Sequence, residues 1–217
     1  MAQAHVSFCP PVITVASYTS GMHKIGHGGT HLTSWAQELH SVALDGNVES
    51  LCFSPDNSCL AVALDGAVCL LSATAERKQI FPDAHGGAVV RSVHWTSPTT
   101  LATAGAATIR LWDTTRALCT GQLDSNSDVL SVTGGDAALA SGAADGTVTL
   151  WRNAEEEGTC LGHEAAVHAV AFCHNGTLLV SASSDQTARI WALDRRCLAI
   201  LRHRDEVRAA CFGTRRT

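Results

Sequence analysis

Lysine is almost missing from this chain: 2 of 217 residues, against 13 arginines. Charged residues of all kinds reach only 16%, aromatics 5%, and proline occurs 5 times. No apolar run approaches the roughly 18–20 residues that cross a bilayer as a helix, so no membrane span is expected. The first residues, Met1-Ala2-Gln3-Ala4-His5, have neither a basic nor an apolar stretch, so no secretion signal is expected. A net charge of −5 and a pI near 6.1 argue against nucleic acid as a direct partner. The nine cysteines are odd in number and contain no C-x-x-C pair. Cys52, Cys173 and Cys211 each stand beside a Phe, as small buried core residues do, and not as disulfides or zinc ligands. A reducing intracellular compartment, cytoplasm or nucleus, is the expected setting. With 46% hydrophobic residues, the chain has enough apolar material to bury a core.

What the chain does have is a period. Segments 60–72 (LAVALDGAVCLLS), 101–113 (LATAGAATIRLWD), 139–152 (LASGAADGTVTLWR) and 179–192 (LVSASSDQTARIWA) align directly. Each reads as a short strand, a tight polar turn and a second strand ending at a bulky residue. Those residues are Leu71, Trp112, Trp151 and Trp191, spaced 41, 39 and 40 apart. A second strand series precedes them at 48–53, 90–95, 129–133, 167–172 and 207–212. No stretch carries a sustained 3.6-residue apolar stripe, so essentially no helix is expected.

The unit is about 40 residues long, with Gly162-His163 opening one copy and Trp112-Asp113 closing another. Turns Asp65-Gly66, Asp145-Gly146 and Asp185-Gln186 fall at one place in the repeat. This pattern resembles the WD-repeat β-propellers, clearly over 47–217 and weakly over 4–46. The resemblance implies an all-β propeller of four-stranded antiparallel blades, about five blades plus one strand, in an incomplete or open ring. The expected blades are 4–46 (degenerate, with Trp35 in the Trp position and a long loop over 20–30), 47–87, 88–127, 128–165 and 166–205. Residues 206–217 would supply the first strand of a further blade. Radial stacking covers both apolar faces of each sheet.

The resemblance also implies a buried network within a blade, joining a His, a strand hydroxyl, the turn Asp and the Trp, from which the 47–87 blade departs with Leu71 in place of Trp. In the last full blade these are His163, Ser181 (or Ser183), Asp185 and Trp191. Ser, His and Asp together suggest a hydrolase triad, but no G-x-S-x-G elbow or oxyanion loop accompanies them, so a structural role is expected. The 128–165 blade offers Asp145 and Trp151 without the His. The 88–127 blade offers His85, Thr103 and Trp112 without the Asp. His23, His27 and His31 have metal-binding spacing for a helix, but Gly21, Gly26, Gly28 and Gly29 break that segment, so no metal and no cofactor are expected.

The loops entering each blade carry Asp83, His85, Asp124, Asp128, Glu164 and Asp205, the candidate partner surface. The opposite face collects Arg77, Lys78, Arg116, Arg152, Arg195 and Arg196. The expected function is therefore a non-catalytic protein-interaction scaffold whose acidic face takes a basic, Arg-bearing segment. A nucleic-acid-associated propeller and a loop-His metal hydrolase are the alternatives. Propellers of this family usually close with about seven blades. A chain of five and a strand is thus expected to be part of a longer one, to accept a blade donated in trans, or to close by pairing 206–212 with the first unit.

Overall fold

β-branched and small residues alternating with period two, cut by Asp-Gly and Ser/Asn turns, leave this chain little choice but short antiparallel strands. The computed structural model describes residues 3–9, 12–18, 40–72, 74, 76–134 and 138–213. Among them are nineteen strands and no helix.

Sixteen of the strands form four meanders of four, each wound from one edge to the other. The first runs β4 (Ser50–Phe53), β5 (Cys59–Ala63), β6 (Val68–Ser72), β7 (Arg77–Phe81). The second runs β8 (Val90–Trp95), β9 (Thr100–Gly105), β10 (Thr108–Asp113), β11 (Leu118–Asp124). The third runs β12 (Val129–Gly134), β13 (Leu139–Ala143), β14 (Val148–Arg152), β15 (Glu155–Cys160). The fourth runs β16 (Val167–Phe172), β17 (Leu178–Ser183), β18 (Thr187–Ala192), β19 (Cys197–Arg202).

Alternation along the strands divides each sheet into two apolar faces, and each face meets a different neighbour. Ala61, Ala63, Val68 and Leu70 pack against Val93, Trp95, Leu101 and Trp112 of the second sheet. The other face of that second sheet, with Ala102, Ala104 and Ile109, meets Val132 and Trp151 of the third. Ala140, Val148, Leu150 and Cys160 then meet Val170, Leu179 and Trp191 of the fourth. A fully buried Leu or Ile in such a seam contributes roughly 1.5–3 kcal/mol. Stacked sheets of this kind are the blades of a propeller.

The first sheet is different. It holds three strands, β1 (Gln3–Cys9), β2 (Val12–Tyr18) and β3 (His40–Asp45), in the order β2-β1-β3. Among the described residues it is thus not the four-stranded meander of the other units, because β3 returns to pair with β1 instead of β2. Leu44 joins it to Leu60, Val62 and Leu71 on the free face of the first meander. Trp35, His23, His27 and His31 lie outside the described residues. Residues 206–213 form no strand, although the Val207 N–H donates to the Ser183 carbonyl at 3.0 Å. A single strand with no partner beside it has no ladder to complete. No packing cluster joins the first sheet to the fourth meander among the described residues, so the ring is not closed.

The loops entering each blade rest on the mid-blade turns of the preceding one, which gives one end of the arc its own surface. Ala84 N–H donates to Gly66 O, Val129 N–H to Ala106 O, and His203 N–H to Gln186 O. The Asp145-Gly146 turn shows why glycine recurs there. Gly146 sits at φ +89°, and a Cβ would stand 2.8 Å from the His163 carbonyl oxygen. Both backbone conformation and close approach require it.

Candidate functional site

Two constellations emerge on this end of the arc: a buried polar relay, whole or partial, in the second, third and fourth meanders, and an acidic surface above it.

The relay is most complete in the fourth meander. The Trp191 indole N–H donates to Ser181 Oγ at 2.8 Å. Ser181 Oγ stands 2.6 Å from His163 Nε2, and His163 Nδ1 stands 2.7 Å from Asp185 Oδ2. Thr187 closes the other side, its hydroxyl donating to Asp185 Oδ1 at 2.6 Å. The Glu164 and Thr187 N–H groups also donate to Asp185. Burial lowers the His163 pKa, outweighing the Asp185 carboxylate beside it. Burial by itself would raise the Asp185 carboxyl, but the bonds from Thr187, His163 and the two N–H groups hold it well below the usual carboxylate range. A neutral imidazole with its proton on Nδ1 satisfies the whole chain: indole to hydroxyl, hydroxyl to Nε2, Nδ1–H to carboxylate.

This is Ser-His-Asp connectivity without hydrolase access. Ser181 is 0% exposed, and its oxygen is engaged by both the indole and the imidazole. No substrate carbonyl can reach it. Gly162 supports the relay from outside: it lies at φ +150°, and a Cβ there would collide with the Arg189 guanidinium. That guanidinium sits over the Trp191 ring, 5.9 Å from its centroid. Ser183, the alternative hydroxyl, donates instead to the Ala165 carbonyl.

The second meander builds the same relay without a carboxylate. Trp112 Nε1 donates to Thr103 Oγ1 at 2.9 Å, which stands 2.9 Å from His85 Nε2. Thr108 Oγ1 takes the place of the aspartate, 2.9 Å from His85 Nδ1. His85 is thus 6% exposed. Its assignment to the partner surface is corrected: the imidazole turns inward because two threonine hydroxyls and the indole complete a buried network. The third meander has only the lower half, Trp151 Nε1 to Ser141 Oγ at 2.8 Å, while exposed Asp145 turns to Thr147. Thr108, Thr147 and Thr187 were not singled out from the sequence. Each stands four residues before its Trp, a spacing that marks them.

His85 carries a pH dependence. Burial first, and then the Arg110 guanidinium, push its pKa down to about 4. The unfolded chain binds this proton below about 6.5, whereas the folded chain refuses it until about 4. The stabilisation is therefore complete above pH 6.5 and is lost as pH falls through that window. The slope for this one group is at most about 1.4 kcal/mol per pH unit. Urea midpoints measured from pH 7 to 4 should fall for the native chain and fall less for His85→Asn. A flat native profile contradicts the buried neutral imidazole.

Above the relays, Asp65, Asp83, Asp124, Asp128, Asp145, Glu164, Asp205 and Glu206 are all exposed. Arg202, Arg204 and Arg208 are exposed cations among them, and Arg208 pairs with Glu206 at 2.6 Å. The opposite end is more balanced than its arginines suggest. Arg116 faces Asp113 at 3.8 Å, Arg152 faces Glu157 at 3.1 Å, and Arg196 faces Asp194 at 2.6 Å. The expectation of a basic opposite face is corrected accordingly, since tight turns place carboxylates next to these guanidiniums. The cysteines also differ from expectation. Cys69 and Cys160 are buried, Cys52 and Cys173 half-buried, and Cys119, Cys197 and Cys211 exposed. Among the described residues, no group of three or more His, Cys, Asp or Glu could hold a metal ion.

Blades with this strand order and seam pattern define a β-propeller fold. The family described as WD domain, G-beta repeat matches residues 37–71 and 155–192, the second range spanning Ser181, Asp185 and Trp191 with the relay's His163. These two stretches carry the WD repeat. Among curated proteins the chain is 45% identical over 51 residues to apoptotic protease-activating factor 1 of Danio rerio, covering 23% of this chain and 4% of that one. It is 39% identical over 71 residues to the probable cytosolic iron-sulfur protein assembly protein 1 of Scheffersomyces stipitis, covering 26% and 20%. It is 35% identical over 80 residues to the nuclear distribution protein PAC1 of Arthroderma otae, covering 34% and 17%. The chain thus spans no more than about a fifth of these relatives' length. A chain in the crystal structure of a mitotic checkpoint complex shares the fold with TM-score 0.70 at 23% identity, covering 77% of this chain and 56% of that one.

Proposed function

We propose that this chain is a non-catalytic interaction scaffold, a subunit of a multiprotein complex, which receives a basic, Arg-bearing protein segment on its acidic end. The observation that carries the reading is the set of eight exposed carboxylates on the entering loops and mid-blade turns, opposed there by Arg202, Arg204 and Arg208, of which Arg208 pairs with Glu206. Such a field steers and orients a cationic partner more than it adds raw affinity. The relays beneath supply rigidity, because loops anchored by buried hydrogen bonds present their side chains without further ordering cost. Relatives named for nuclear distribution, for cytosolic iron-sulfur protein assembly and for a mitotic checkpoint complex support an intracellular complex subunit, in cytoplasm or nucleus. The buried Ser181 speaks against hydrolysis. The ion-paired arginines of the opposite end remove the basic footprint that a nucleic-acid surface needs.

The test is fluorescence polarisation with an Arg-rich peptide and its Glu-substituted counterpart. The Arg-rich peptide should bind, weaken steeply with salt, and lose about tenfold or more in affinity on the triple substitution Asp124→Lys, Asp128→Lys, Glu164→Lys. Equal binding of both peptides, or an unaffected triple variant, would overturn the reading.

A further inference from the structure

On the opposite end of the first meander, two nucleophiles meet outside everything described so far. Lys78 Nζ donates to Cys59 Sγ at 3.2 Å, although the two residues lie on β7 and β5, with β6 between them. A regular ladder would keep them apart. Cys59 pairs with Ser72 and shares a face with Ala61 and Leu70. On β7, Gln79 pairs with Leu70 and Arg77 pairs with Leu71, so Lys78 is the extra residue of a β-bulge. That insertion breaks the period-two alternation and re-aims Lys78 toward the face of Cys59. The other meanders place Thr120, Glu157 and Leu198 at the corresponding bulge. The bulged amine beside a thiol therefore belongs to this blade alone among the four.

We propose that Cys59 and Lys78 form an oxidative modification site, in which a peroxide links Sγ to Nζ through one oxygen atom. Cys59 is half-buried and Lys78 exposed, so a small oxidant reaches the sulfur from solvent. In the first step Sγ attacks one oxygen of hydrogen peroxide. The O–O bond breaks, an S–OH group forms, and one water leaves. A second peroxide then accepts two electrons and two hydrogens, one from the S–OH and one from the amine, and departs as two waters. An O–N bond has formed, giving Sγ–O–Nζ. Overall the thiol, the amine and two peroxides yield the bridge and three waters, with four electrons passed to the peroxides. The product staples the outer strand β7 to β5 across β6, and thiol reductants cleave it at the S–O bond.

The experiment treats the whole chain with hydrogen peroxide, digests it without reductant and measures peptide masses. The expected product joins the Cys59 and Lys78 peptides, with a mass equal to their sum plus one oxygen less two hydrogens. It disappears on dithiothreitol, persists in Cys119→Ser, and is absent from Cys59→Ser and Lys78→Arg. Thermal unfolding of the reduced variants, matching the native chain, shows that they remain folded. The native-chain mass decides the matter even where a variant fails to fold. Cys59 recovered as sulfinic or sulfonic acid beside a free Lys78 peptide overturns the proposal. So does a joined pair lacking the added oxygen, which denotes a direct S–N bond.

Discussion

Trp191→Ala should cost about 3–5 kcal/mol, and Trp151→Ala a similar amount. Trp191 is 1% exposed and Trp151 4%, each filling the seam between two blades. Truncation leaves a cavity that the strands on either side, held by their ladders, cannot collapse into. It also removes the indole donor from Ser181 or Ser141. Trp191→Phe separates the two effects, keeping most of the volume while losing the donor, and should lie between Ala and the native chain. Urea midpoints give the measurement. Because blades contribute as linked units, strand content and indole fluorescence are followed together. An unchanged midpoint for either Ala variant would sink the placement of these rings in the seams.

Asp185→Asn is expected to lose about 1–3 kcal/mol. The carboxylate accepts from Thr187, His163 and two backbone N–H groups, using both oxygens. An amide offers one oxygen only, so one side of the site faces an NH₂ group with nothing to receive it. The pH dependence identifies the cause. A carboxyl held below its unfolded value contributes stability above about pH 3.9 and loses it as pH falls through the folded value. The deficit of the Asn variant should thus hold from neutrality to about pH 4 and close only in stronger acid. A deficit that closes between pH 7 and 5 would assign the effect to His163 instead.

The propeller reading was open to inspection in the sequence because a repeat states itself several times. Leu71, Trp112, Trp151 and Trp191 share one register, and four copies agreeing exclude coincidence in a way no single Trp-Asp could. The acids of the entering loops were legible for the same reason: their place in the repeat puts them at one end of the arc. The relay of His163, Ser181, Asp185 and Trp191 was suggested by the family resemblance, and the distances bring these four side chains together.

Sequence by itself thus determined the strand content, the period and the inward or outward sense of most positions, because these follow from local alternation and turn chemistry. Tertiary structure decided whatever depends on which groups meet across a turn or a bulge. His85 reads as a loop residue, yet Thr103 and Thr108 draw it inside, and hydroxyls 18 and 23 positions away leave no local trace. The arginines of the opposite end look like free charge until the turns fold carboxylates against them. The first sheet departs from the meander because β3 can pair with either edge of the β1–β2 hairpin, and strand propensity is the same for both. Lys78 meets Cys59 only because one inserted residue reverses its facing, and a bulge is a property of two paired strands, never of one.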